Sequence, residues 1–165
     1  MKIENVMRVF RPDLTSIGWV SKDNILSEKE QCLLSMLEML VENNIVTDKN
    51  LLFSKILDRE HAMSTGIGNR IAIPHVRDSS ISSFKAVIYL LDKEIDFASI
   101  DGRKVKLVIL FVIPEKESTN YMRLLGKVSE LLREEEIRSL VFNCRNKNKL
   151  YTIFRRLEDE LQSES

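Results

Sequence analysis

Cysteine is nearly absent from this 165-residue chain: Cys32 and Cys144 are the only two, far apart and without a histidine at metal-ligand spacing. That argues against a disulfide scaffold and against a zinc site, and makes a reducing compartment the default. Excess charge of either sign is absent as well. The 25 Lys and Arg balance 25 Asp and Glu, for a formal net charge of zero, so the basic surface of a nucleic-acid-binding protein is not indicated. There is no long apolar run: the longest, Leu107 to Ile113, is far too short to cross a bilayer, and Met1 to Asn5 lacks the continuous apolar region of a signal peptide. Repeats and low-complexity segments are missing too. These absences leave a soluble, cytoplasmic protein with no metal, no cofactor, no nucleic-acid partner and no direct membrane insertion as the expectation. Histidine is scarce, with only His61 and His75.

At this length, with 44% apolar residues, the chain fits one domain. Residues 1–13 hold scattered apolar side chains and Pro12 without a helical or strand period, and read as a flexible or loosely docked N-terminal extension; the domain proper is expected over 14–165. Ile17 to Val20 reads as a short strand. Ser27 and Glu30 have capping-box spacing before a helix with a Leu33, Leu37, Leu40 and Val41 stripe, ending at Asn43-Asn44. Thr47 can cap a second helix to about Glu60, with Leu52, Phe53, Ile56 and Leu57 inward and Arg59 in its last turn. Phe84 to Leu91 reads as a buried strand, Asp101-Gly102 as a turn, and Lys106 to Pro114, with no alternation at all, as the middle strand of the sheet. Ser118-Thr119 can cap a helix through Leu132, with Leu125, Val128 and Leu132 on its buried side. Helices over Glu134 to Phe142 and Lys147 to Leu161 follow, and the acidic run at Glu134-Glu135-Glu136 reads as a solvated helix start. The expected fold is α/β, a single layered domain with a mixed sheet of about five strands covered by helices on both faces.

The chemistry is expected in Ser64-Thr65-Gly66-Ile67-Gly68-Asn69-Arg70-Ile71-Ala72-Ile73-Pro74-His75. Gly66 and Gly68 permit positive φ or close backbone approach, Ile71 and Ile73 can plug a core at strand spacing, and Pro74 fixes its own φ while holding Ile73 extended. His75 is thereby presented from a stiff platform. A neutral imidazole can attack an electrophile near neutral pH, with the tautomer fixed by a hydrogen bond at the other nitrogen. The plain alternative is a structural or surface histidine after a turn. The loop lacks the Gly-Lys-Ser/Thr ending of a nucleotide-binding P-loop.

This string, with Arg59-Glu60 just upstream, resembles the active-site segment of the fructose/mannitol-type IIA domains of the bacterial phosphotransferase system, including the nitrogen-regulatory IIA proteins. The resemblance extends from about Leu14 to Leu157 and is strongest between Arg59 and Ile113. It implies the same layered architecture and phosphorylation of His75, with the Arg59 guanidinium beside it able to form two parallel bonds to phosphate. Arg59 alone, without the motif, reads as a basic residue favoured by a helix C-terminus. Thr65, and less so Ser64, can bind or orient near the phosphate; ordinary turn capping explains either hydroxyl equally well. Ile95-Asp96-Phe97 and Asp101-Gly102 in a freestanding domain resemble the nitrogen-regulatory branch more than a permease component.

The implied partners are an HPr-like histidine phosphocarrier as donor and a IIB domain or a regulatory target protein beyond it. Three functions therefore stand side by side: a phosphocarrier of the nitrogen-regulatory branch, a sugar-specific IIA component passing phosphate to a IIB domain, and a binding regulator whose docking is changed by the charge on His75 with little onward transfer. Two departures from the family pattern, at Tyr121 and Arg70, bear on the choice. Tyr121 stands where members commonly place a second active-site histidine; it can donate to a phosphoryl oxygen or simply pack its helix. Arg70 stands where glycine is frequent, and Arg77 follows the motif; either enlarges a positive rim or is solvated. His61 reads as a surface or supporting residue.

Overall fold

The computed structural model describes residues 8–22, 25–117 and 120–164. One mixed sheet contains β1 (Thr15–Trp19), β2 (Gly66–Gly68), β3 (Ile71–Ala72), β4 (His75–Asp78), β5 (Lys85–Ile95) and β6 (Val105–Pro114). The order is β1-β5-β6-β3-β2, with β4 also paired to β6. Six strands replace the expected five or so because the glycine-rich stretch breaks into three short ones. β6 is the axis of the arrangement. Along one edge it runs antiparallel to β5; along the other it takes β3 and β4 end to end, both parallel, with Ile71 opposite Leu107 and His75 opposite Phe111.

The unalternating apolar run of β6 follows from helices on both faces. Val108, Leu110 and Val112 point to a core shared with α1 (Glu28–Glu42) and α2 (Lys49–Ala62). Leu107, Ile109, Phe111 and Ile113 point to a second core under α3 (Asn120–Leu131), α4 (Glu135–Phe142) and α5 (Lys147–Glu164). Among the described residues no helix is long and apolar enough to cross a membrane.

Local chemistry sets the helix ends. Ser27 caps α1 by accepting from the Glu30 N–H at 3.1 Å, and the chain leaves that helix through Asn44 at φ 60°. The cap of α2 is Asp48, not Thr47: its carboxylate accepts from the Leu51 N–H at 3.0 Å, and a negative cap has the added favour of the helix dipole. Ser118 and Thr119 lie outside the described residues.

The segment read as a flexible or loosely docked extension is packed where it is described. Phe10 is fully buried, its ring 6.0 Å from that of Phe111 and 5.5 Å from that of Phe154; such a burial contributes about 1.5–3 kcal/mol. The Glu158 carboxylate accepts from the Val9 and Phe10 amides at 3.1 and 2.6 Å, and the Ala86 amide donates to the Val9 carbonyl at 3.0 Å. Burial pushes the Glu158 carboxyl above its ordinary value, against the pull of those two amides.

Candidate functional site: the cleft at His75

The platform is built from backbone. Asn69 and Arg70 both take positive φ, 55° and 66°, as a two-residue turn between β2 and β3 requires, and Gly68 precedes them at 90°. Gly66 is a close approach: a Cβ there would lie 2.2 Å from the Ser99 Oγ and 2.9 Å from the Ser99 Cα. Beyond the turn the Ile73 amide donates to the Thr65 carbonyl at 2.9 Å, and Ile71 and Ile73 plug the second core. Pro74 falls between β3 and β4. Its missing N–H costs nothing there, and its carbonyl accepts from the Phe111 amide at 3.0 Å.

Alternation along β4 then separates two sets of side chains. Val76 and Asp78 turn to the α2 side, where Val76 is core and Asp78 meets Lys55 and Ser80. Lys55 foremost, with the Ser80 hydroxyl and amide, holds the Asp78 carboxyl down to about 2. His75 and Arg77 turn to the α3 side and line a cleft of about 510 Å³ with Ile113, Tyr121, Met122, Leu125, Gly126 and Ser129. His75 is half-buried, its Nδ1 3.3 Å from the Ile73 carbonyl. A carbonyl oxygen can only accept, so this contact selects the tautomer with the proton on Nδ1 and the lone pair on Nε2.

The other expected site residues hold different places. The Arg59 Nη1 donates to the Met63 carbonyl at 3.0 Å, closing its own helix, and Arg59 does not line the cleft. The Ser64 hydroxyl donates to the Phe97 carbonyl at 2.6 Å and accepts from the Gly66 amide at 3.0 Å. Thr65 is buried, and both its amide and its hydroxyl donate to the Glu60 carboxylate, which also pairs with Lys29 at 2.6 Å. Arg70 pairs with Glu94 and lies over the Phe142 ring, away from the cleft; His61 is exposed. The structure thus brings His75, Arg77 and Tyr121 together, while Arg59, Ser64 and Thr65 stand outside their cleft.

The chain that carries this histidine, platform and cleft is similar to known proteins. Residues 13–157 match the family described as "Phosphoenolpyruvate-dependent sugar phosphotransferase system, EIIA 2". The chain belongs to this family. Among EIIA relatives, a nitrogen regulatory protein of Pseudomonas aeruginosa is 32% identical over 106 residues, covering 64% of this chain and 69% of that protein. A fructose-specific EIIABC component of Bacillus subtilis is 31% identical over 127 residues, 76% of this chain but only 20% of that longer protein. The fold matches the crystal structure of the nitrogen regulatory protein IIA-Ntr from Neisseria meningitidis with a TM-score of 0.78 at 19% identity, over 88% of this chain and 96% of that one. It matches the Escherichia coli mannitol IIA, solved in complex with phosphorylated mannitol IIB, with a TM-score of 0.67 at 17% identity, over 84% and 93%.

Within this EIIA domain, sequence reasoning missed Glu60. An acid in the last turn of a helix, where the dipole disfavours negative charge, is the available signal. Arg77 was noticed, but its place beside Tyr121 depends on strand alternation and on α3, which local pattern does not supply.

Proposed function

We propose that this EIIA domain accepts a phosphoryl group on Nε2 of His75 from an HPr-type histidine phosphocarrier. The observation that carries the reading is the Nδ1 contact to the Ile73 carbonyl at the edge of an open cleft. With Nδ1 holding the proton, the Nε2 lone pair forms the new N–P bond as the donor's N–P bond breaks, and that electron pair returns to the donor nitrogen. No water enters. The backbone platform keeps the imidazole from turning, so little orientational freedom is lost on reaching the transition state. Arg59, with four N–H groups beyond the one given to Met63, stands at the end of α2 as a further cation for the docked complex.

The acceptor distinguishes two readings. A sugar-transfer component passes the phosphoryl group to a IIB domain; a regulator is changed in its docking by it. The absence of a second histidine at Tyr121 and the closer fold match to a nitrogen regulatory protein favour regulation of a target protein. Incubation with phosphoenolpyruvate, enzyme I and an HPr-type carrier, followed by peptide mass spectrometry without acid, should place one phosphate on His75 and none on His75→Ala. Undiminished labelling of His75→Ala would sink the assignment.

A further inference from the structure

Among the described residues, Arg77 is the one permanently charged side chain that lines the His75 cleft. It lies two residues along β4 from His75, on the same face and about 6–7 Å away along the strand. Its Nε donates to the Glu115 carbonyl at 2.8 Å, Nη2 donates to the same oxygen, and the guanidinium sits 5.7 Å from the centre of the Tyr121 ring. Three of its five N–H groups carry no bond among the described residues, and neither does the Tyr121 hydroxyl. The other polar groups of the motif are committed to scaffolding: Ser64 to Phe97, Thr65 to Glu60, and one Arg59 N–H to Met63.

Resting on the phosphocarrier reading, we propose that Arg77 is the catalytic cation of this site and that Tyr121 is its positioning residue. The guanidinium, steered by the Glu115 carbonyl on one edge and the aromatic face beneath it, meets the equatorial oxygens of the phosphoryl group as it passes to Nε2 of His75. The tyrosine in place of a second imidazole is then not simply a loss. An imidazolium would repel Arg77, whereas the electron-rich ring face attracts it. Positive charge is supplied from β4 rather than from α3, and the helix contributes the surface that aims it.

The test uses the intact chain and phosphoramidate, a small donor that bypasses partner docking, with labelling of His75 followed by 31P NMR and mass spectrometry. Arg77→Ala should slow labelling about tenfold to a hundredfold, the loss expected for one charge-assisted hydrogen bond made in the transition state. Arg77→Lys should recover part of this, since lysine keeps the charge but not the planar fork. Tyr121→Phe should be slowed less than Tyr121→Ala, because the ring face remains. Tyr121→Ala should approach Arg77→Ala, and the double variant should lose no more than either, as expected of residues acting as one unit. Equal rates for wild type and Arg77→Ala, with Arg59→Ala slowed instead, would overturn the assignment. If wild-type His75 takes no label from phosphoramidate or from phosphoenolpyruvate, enzyme I and an HPr-type carrier, the phosphocarrier reading fails, and the Arg77 claim is judged by titration with inorganic phosphate. A saturable shift of the Arg77 Nε–H resonance, with a weaker phosphate-dependent shift of the His75 ring resonances in Arg77→Ala than in wild type, would uphold it as the anion-binding group, and no shift would refute it.

Discussion

Replacing Thr65 with valine separates a ligand of the phosphoryl group from a strut of the platform. Valine keeps the shape and removes only the hydroxyl, which is buried and donates to the Glu60 carboxylate. A hydrogen bond to a charged group contributes about 1.5–3 kcal/mol. Glu60 keeps Lys29 at 2.6 Å and the Thr65 amide at 3.1 Å, so its remaining desolvation is partly covered and the low end applies. A loss of about 1.5–2 kcal/mol corresponds to a fall in Tm of about 3–8 °C for a domain of this size.

Calorimetry reads the stability, and initial labelling of His75 well below Tm reads the function. The strut assignment expects the Tm to fall while labelling stays within a few-fold of wild type, because the backbone bond from Ile73 to the Thr65 carbonyl survives the substitution. An unchanged Tm with labelling slowed a hundredfold would refute it and return Thr65 to the phosphoryl group.

Two further outcomes follow from the same platform. Asp78 titrates at about 2 against an unfolded value near 3.8, so its pairing stabilises the fold fully above about pH 4 and is lost as the pH falls from there towards 2. Lys55 is 45% exposed, which screens the pair to about 1 kcal/mol; the gap between denaturant midpoints of wild type and Lys55→Met should therefore be full at pH 6 and shrink to a small fraction of that as the pH approaches 2, and an undiminished gap at pH 2 would exclude Asp78 as its source. Gly66→Ala forces a Cβ against Ser99 and should cost about 1–3 kcal/mol in urea unfolding, as overpacking does; Ser99→Gly should restore part of the loss, and no restoration would show that the strain lies elsewhere.

The sheet axis was legible because burial on both faces leaves a local trace: from Leu107 to Ile113 no polar residue interrupts the run. The platform was legible for a similar reason, since Gly66, Gly68 and Pro74 restrict backbone at their own positions. What escaped depends on partners distant in sequence. Val9 and Phe10 have no periodicity of their own and are held by Glu158, 148 residues from Phe10. The fate of the Thr65 hydroxyl turns on whether a helix end delivers Glu60 to it, and that of Arg77 on Glu115, 38 residues on. The α2 cap was displaced by one residue because Thr47 and Asp48 are both competent caps, and only the backbone path chooses between them.

The division of β4 into two faces explains why rigidity and reactivity can coexist in four residues. On one face Val76 and Asp78 anchor the strand to the α1–α2 side, and Lys29 and Glu60 tie those two helices to the glycine hairpin through Thr65. On the other, His75 and Arg77 are left partly open to a cleft whose wall is α3. Changes on the anchored face should therefore register first in stability, and changes on the open face first in phosphoryl transfer or partner choice. Tyr121 lies on the open side. On the reading proposed above, a change at Tyr121 alters how positive charge meets the phosphoryl group on His75 while leaving the ties of the histidine platform intact.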